Sequence, residues 1–151
     1  SVFSIAKLIL EVMEMHEHEA IKRLIHLEFP HRKSDIKVRA DREKIYAVIS
    51  NLLSNAIHYG KEGGMAKIIL KEQDQSVLVY VIDDGIGIPQ DEQKRIFERF
   101  YRVDKSRSKE LGGTGLGLSI VKHIIDRHNQ KLELVSFPGE GSKFSFSLEK
   151  V

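Results

Sequence analysis

Apolar side chains at Ile5, Leu8, Ile9, Val12, Met13, Ala20 and Ile21 recur at steps of three, four and seven, which predicts one helical face over residues 1–23. The period then shortens to two. Leu27 and Phe29 flank Glu28, and Ile36, Val38 and Ala40 alternate with Lys37 and Arg39, so two short strands joined by the polar loop His31–Asp35 follow. Asp41 is placed to cap a second helix with Ile45, Val48, Ile49, Leu52, Leu53 and Ala56 inward, and Gly60, Gly63 and Gly64 end it. Met65–Lys71 and Val77–Asp83 read as a hairpin turned at Asp74-Gln75-Ser76. Past the turn-rich Asp84–Pro89, the spacing over Gln90–Arg99 predicts a short helix. Residues 101–113 carry no clean period and read as a loop. Thr114 is placed to cap a last long helix with Leu118, Val121, Ile124 and Ile125 inward, closing near Asn129. A terminal hairpin, Leu132–Phe137 and Ser142–Glu149, turns at Pro138–Gly141, and Phe144, Phe146 and Leu148 alternate with Lys143, Ser145 and Ser147. Together these elements predict an α+β two-layer sandwich, a mixed β-sheet packed against three main helices.

Composition narrows the class. The 151 residues fit one domain, 1–151, and such a chain buries roughly 70% of its unfolded surface without staples. With 24 basic against 22 acidic residues, a net charge of +2, a polybasic nucleic-acid arm or an acidic tail is not the main device. No cysteine is present, which removes disulfides, thiolate metal sites and a cysteine nucleophile. The longest apolar run, Val77–Ile82, is far too short to cross a bilayer, so no membrane contact is expected of this domain. No secretory leader pattern opens the sequence. It begins at Ser1 without an initiator Met, as expected of a piece of a longer protein.

Glycines carry the first chemical signal. Gly85 and Gly87, then Gly113, Gly115 and Gly117, sit beside turns or a helix start, where backbone N–H groups can approach a polyphosphate. Gly113-Thr114-Gly115-Leu116-Gly117-Leu118 is neither the dinucleotide fingerprint nor a P-loop, and on its own it is equally a tight turn. On the second helix, Asn51, Asn55 and either His58 or Tyr59 fall on one face. An asparagine oxygen suits Mg²⁺, a hard cation that shares its oxygen ligands with phosphates, though both asparagines are equally read as braces for nearby loops. Asp83 ends an apolar run beside Gly85, where a carboxylate can accept an exocyclic amine or simply start a turn.

In sequence order, Asn51-Leu-Leu-Ser-Asn55-Ala-Ile-His-Tyr59, Asp83-Asp-Gly85-Ile-Gly87, Phe97-Glu-Arg-Phe-Tyr-Arg102 and Gly113-Thr-Gly115-Leu-Gly117-Leu match the N, G1, F and G2 boxes of bacterial sensor histidine kinases. Gly139-Glu-Gly141-Ser is similar to their terminal glycine motif, so the likeness runs from about residue 3 to 149. The chain resembles the catalytic and ATP-binding domain of that family, with the Bergerat (GHKL) fold shared by gyrase and MutL. Residues Phe97–Lys105 and 111–115 resemble the phosphate-sensing and cell-wall-sensing kinases of low-GC Gram-positive bacteria.

The resemblance implies ATP and Mg²⁺ as cofactors. It implies that Asn55 holds Mg²⁺ with Asn51 beside it, that Tyr59 stacks near adenine, and that Asp83 accepts the adenine amino group. Gly85, Gly87 and Ile88 would let the backbone close on the base. Arg102 and the amides of Gly113, Thr114, Gly115, Leu116, Gly117 and Leu118 would hold the phosphates, with residues 103–112 as a lid packed by Phe97 and Phe100. Asn51 and Arg102 would support catalysis without a catalytic residue in this chain. The phosphoacceptor histidine of the family lies on a separate dimerisation domain, expected to be missing here. His18-Glu19 is followed by Ala20-Ile21-Lys22 rather than the acceptor pattern and reads as helix surface, as does the interleaved His16. Implied partners are that domain, in a homodimeric full-length protein, and a response regulator, with no nucleic acid. The implied location is cytoplasmic, below a membrane anchor.

Two departures carry consequences. The family has lysine three positions after the second asparagine, and His58 stands there. An imidazole on phosphate predicts tighter nucleotide binding at pH 6 than at pH 8. Relatives that hydrolyse ATP carry a glutamate base where this chain has Asn51, and an amide cannot take a proton from water. Phosphoryl transfer is therefore favoured over a hydrolysing ATPase, and a catalytically silent nucleotide-binding module is the third reading.

Overall fold

The computed structural model describes residues 1–99, 101 and 117–151. Val2–Ser4 is a short strand, β1, and Ile5–Lys22 is α1, entered through the Ser4 hydroxyl, which accepts the Lys7 N–H. β2 (His26–Glu28) and β3 (Lys37–Arg39) precede α2 (Arg42–His58). The Asp41 carboxylate caps α2 by accepting the Lys44 N–H at 3.2 Å. β4 (Met65–Glu72) and β5 (Ser76–Asp83) form the expected hairpin. α3 (Gly117–Arg127), β6 (Leu132–Phe137) and β7 (Gly141–Lys150) complete the described elements.

The described strands join in one seven-stranded mixed sheet of order β1-β3-β7-β5-β4-β2, with β6 also on β7. β2 runs parallel to β4 and the other pairings are antiparallel. β3 and β6 share one edge of β7: β6 covers Gly141–Phe146 and β3 covers Glu149 and Lys150. Across the core-facing side, register sets Val79 beside Phe146 and Phe146 beside Leu132, then Val81 beside Phe144 and Phe144 beside Leu134. Against these rows pack the inward faces of α1, α2 and α3, with Leu8, Ile9, Ile49, Leu53 and Ile125 fully buried. Burying each such side chain contributes about 1.5–3 kcal/mol relative to exposure, so this layer is the main source of stability.

Several expectations change. β2 and β3 are strands as expected, and they lie toward opposite edges of the sheet rather than beside each other. A three-residue alternation fixes a face and says nothing about a neighbour. Residues 2–4, expected to be helical, pair with β3 instead, and Ile21 is 65% exposed beyond the buried stripe. Gln90–Arg99 holds only a 3₁₀ turn at Gln90–Glu92 followed by further turns. Its N–H groups reach back three residues, from Arg95 to Glu92 and from Glu98 to Arg95, too tight for an α-helix. Phe97 meets Phe144 edge-to-face at 6.3 Å, as its apolar character leads one to expect. The expected helix cap at Thr114 and the packing of Phe100 lie outside the described residues.

Candidate functional site

The two asparagines of α2 are one turn apart and half-buried. Asn51 donates its amide to the Ala47 carbonyl at 2.7 Å, which turns its Oδ1 outward. A Cβ built on Gly117 would lie 2.9 Å from that oxygen, so Asn51 stands directly against the start of α3. Among the described residues, the Asn55 amide has no side-chain hydrogen bond. A half-buried amide oxygen with no partner among the described residues fits a hard cation that completes its shell with water and phosphate.

The His58 side chain turns away from Asn55. Its Nε2 lies 3.5 Å from the Glu19 carboxylate of α1, and its Nδ1 3.4 Å from the hydroxyl of Ser54, one turn earlier on α2. The neighbouring His16 contacts the Ser50 hydroxyl at 2.7 Å. Burial pushes its pKa below the ordinary value, His58 adds to the fall, and Glu19 opposes it. His58 lies about 40° around the helix from Ser54 and about 60° from Asn55, and its contacts with Ser54 and Glu19 turn the side chain to the Ser54 side. His16 is thus part of a helix–helix contact rather than a solvated face.

Tyr59 ends α2, its N–H on the Asn55 carbonyl at 3.0 Å. Its own carbonyl accepts the Ile86 N–H at 3.3 Å and lies where a Cβ on Gly85 would collide. That contact admits only glycine at 85. At Gly87 φ is +72°, and a Cβ would strike the Phe137 carbonyl, which again requires glycine. The segment Gly85–Ile88 is therefore pressed between the end of α2 and the β6–β7 turn.

Asp83 continues the inward phase of Val77, Val79 and Val81. Its Oδ1 accepts the Gly85 N–H at 2.9 Å. Burial pushes its carboxyl up to about 6, the Gly85 and Ser142 backbone groups pull it back, and Asp84 adds to the rise. Asp84 itself accepts the Met65 N–H at 3.0 Å and serves the sheet. Across the strands, register places Asp83 beside Ser142 and Ser142 beside Ser136. Both serines are buried, at 8% and 4% exposed. Ser136 Oγ accepts the Ile88 N–H at 2.8 Å, and Gln93 Nε2 donates to the carbonyls of Ile88 and Ser136 at 2.9 and 3.1 Å.

The structure thus gathers Asn51, Gly117, Tyr59, Asp83, Gly85, Gly87 and Ile88 through direct contacts, with Asn55 one helical turn from Asn51 and Leu118 beside Gly117. It turns His58 toward α1. Arg102, Gly113, Thr114, Gly115 and Leu116 lie outside the described residues, as does the expected lid at 103–112. Sequence reasoning missed Ser136, Ser142 and Gln93. The available signal was a serine standing in the apolar phase of each strand of the last hairpin, after Leu132 and Leu134 and before Phe144 and Phe146.

Residues 40–151 match the family described as histidine kinase-, DNA gyrase B- and HSP90-like ATPases, and the chain belongs to that family. Within it, the fold is that of a histidine kinase catalytic domain. The nucleotide-free catalytic domain of histidine kinase ThkA superposes with a TM-score of 0.84 at 33% identity, over 99% of this chain and 95% of that one. A structure of ThkA with response regulator protein TrrA matches at a TM-score of 0.81 and 32% identity, over 100% of this chain and 42% of that one. In sequence, the chain is 46% identical over 112 residues to the sensor-like histidine kinase SenX3 of Mycolicibacterium smegmatis, covering 74% of this chain and 29% of that protein. It is 38% identical over 143 residues to sensor histidine kinase WalK of Bacillus subtilis, covering 93% of this chain and 23% of that protein. The chain therefore spans between about a quarter and a third of the length of these curated relatives. No described helix is long and apolar enough to cross a membrane.

Proposed function

We propose that this chain binds MgATP between α2, the Gly85–Ile88 segment and the start of α3. As one domain of a longer kinase, it would donate the γ-phosphoryl group to a histidine on a separate dimerisation domain. The observation that carries the reading is the half-buried Asp83 carboxylate, held by backbone amides beside a segment that admits only glycine at 85 and 87. A carboxylate so fixed accepts the adenine amino group, and the close-set backbone excludes water from the base edge. Tyr59, half-buried at the end of α2, flanks the base.

Asn55 would hold Mg²⁺ and Asn51 would orient the phosphates beside it. The ion, when bound, neutralises charge along the phosphate tail. Arg102 and residues Gly113–Leu118 supply the remaining phosphate contacts in this proposal. His58 is left out of the phosphate set because its side chain turns to Glu19 of α1 and Ser54 of α2. Asn51 offers no base for water, so this chain's work is binding and positioning, and the nucleophile is the imidazole of the partner domain. Homodimerisation of the full-length protein, relay to a response regulator and a cytoplasmic position below a membrane anchor belong to the same proposal. They rest on the relatives being sensor kinases and on the ThkA complex.

The test mixes this chain with γ-labelled ATP and a separately expressed dimerisation domain. Label on the partner's histidine supports the proposal. Released phosphate without transfer indicates a hydrolysing ATPase, and binding with neither outcome indicates a silent nucleotide module.

A further inference from the structure

Ile88 is tied down in an unusual way: its backbone N–H and its C=O are both bonded by side chains from elsewhere in the chain. The N–H goes to Ser136 Oγ, 48 residues away, and the C=O accepts from Gln93. The second Gln93 proton goes to the Ser136 carbonyl, so one amide clamps the segment to β6. Ser136 is saturated as well. Its single proton donates to the Gly141 carbonyl at 3.0 Å, so the 2.8 Å contact with Ser142 must be donated by the Ser142 hydroxyl. Two accepted bonds and one donated bond use the full capacity of the Ser136 hydroxyl.

Besides the Asp83 carboxylate on the Gly85 N–H, the other described anchors of the segment are main-chain. The Ile86 C=O accepts the Gly139 N–H at 2.8 Å, and the Ile86 N–H reaches the Tyr59 carbonyl. Without Ser136 and Gln93, Ile88 would lose both described backbone bonds, and the exit of the segment would be free to lift from the hairpin. A valine at position 136 would continue the apolar phase of Leu132 and Leu134, yet it would leave the half-buried Ile88 N–H without its described partner.

We propose that Ser136 and Gln93 are positioning residues for purine recognition, holding the Gly85–Ile88 segment on the last hairpin so that Asp83, fixed by the Gly85 N–H, meets the base edge in a fixed register. This rests on the reading of Asp83 as acceptor of the adenine amino group. Neither side chain need touch nucleotide. Their effect falls on selectivity, because a loosened segment still closes on any purine but no longer presents the acceptor at hydrogen-bond distance to the amine.

The experiment titrates MgATP and the magnesium complex of purine riboside triphosphate, which lacks the amino group, into the wild-type chain and the variants S136A, S136T and Q93L. Wild type should prefer ATP. S136A should weaken ATP by about tenfold and the amine-free analogue by less than about threefold, so that the preference contracts. S136T, which keeps the hydroxyl, should restore the preference, and Q93L should contract it as S136A does. A preference that survives in folded S136A overturns the inference. Should S136A fail to melt cooperatively, Q93L decides, and an unchanged preference there overturns it equally. Equal affinities in the wild type would instead refute the Asp83 reading on which the inference stands.

Discussion

On the core-facing side of the sheet, Val79, Phe146 and Leu132 form one cross-strand row and Val81, Phe144 and Leu134 the next, held by dispersion and exclusion of water. The row after them, Asp83, Ser142 and Ser136, uses the same three strands in the same register and is held by hydrogen bonds. Apolar rows gain free energy with area and tolerate small displacements. The polar row gains little net stability and tolerates none, because a buried donor without its acceptor costs about 1–3 kcal/mol. The fold therefore places its binding chemistry where the register of the core is already decided, and that register supplies the precision.

The largest effect expected from breaking this contrast is at Phe146, which is 1% exposed. Phe146→Ala should lose about 3–5 kcal/mol in denaturant unfolding while leaving the nucleotide affinity of the folded fraction unchanged. In the polar row the effects reverse. Asp83→Asn should weaken MgATP by about a hundredfold in calorimetric titration, since an amide cannot accept from both backbone donors and the base with a single oxygen. The same variant should not lose stability at pH 8. A carboxyl raised from 3.8 to about 6 stabilises the fold below pH 3.8 and loses that contribution as pH rises through 6, so Asn should flatten the decline between those values.

Wild-type titration sharpens the contrast further. Protonated Asp83 is a weaker acceptor for the amine, so MgATP affinity should fall by up to about tenfold between pH 8 and pH 5, one unit below the Asp83 value. This sign is opposite to the one expected from an imidazole on phosphate. His58→Ala should leave the direction of the profile intact, and tighter binding at pH 6 than at pH 8 would return His58 to the phosphate tail. The smallest effect is expected at Ile68, fully buried on β4 beside Val81. Ile68→Val should cost about 1 kcal/mol of unfolding free energy and leave affinity and selectivity untouched.

How far the sequence can be read follows the same division. Helix stripes and strand alternation are averages over many positions, so α2, the two long hairpins and nearly all of their buried residues are legible. Three-residue strands carry no such average, and β2 and β3 reach their places through contacts far along the chain. Within the site, the asparagines, Asp83 and the glycines stand out by type and spacing. The direction of His58 does not, because a residue three or four positions from Asn55 can turn to either of two helix faces, and Glu19 and Ser54 decide between them. Ser136 and Gln93 were visible only as a polar residue in an apolar phase and a glutamine in a turn. Apart from the Ser142 hydroxyl, their described partners are backbone atoms, which leave no mark on composition.

The placement of β7 has a consequence for how the molecule is made. It is the last of these strands to leave the ribosome, yet β3, β5 and β6 all pair with it. Until residues 141–150 emerge, β1 with β3 and β5 with β4 and β2 are separate fragments, and β6 has no strand to join. Assembly of the sheet thus waits for residues 141–150 and then proceeds through contacts distant in sequence, a route that is slow and leaves strand edges exposed meanwhile. Nascent chains stalled before residue 141 should be protease-sensitive throughout the region that later forms the nucleotide site.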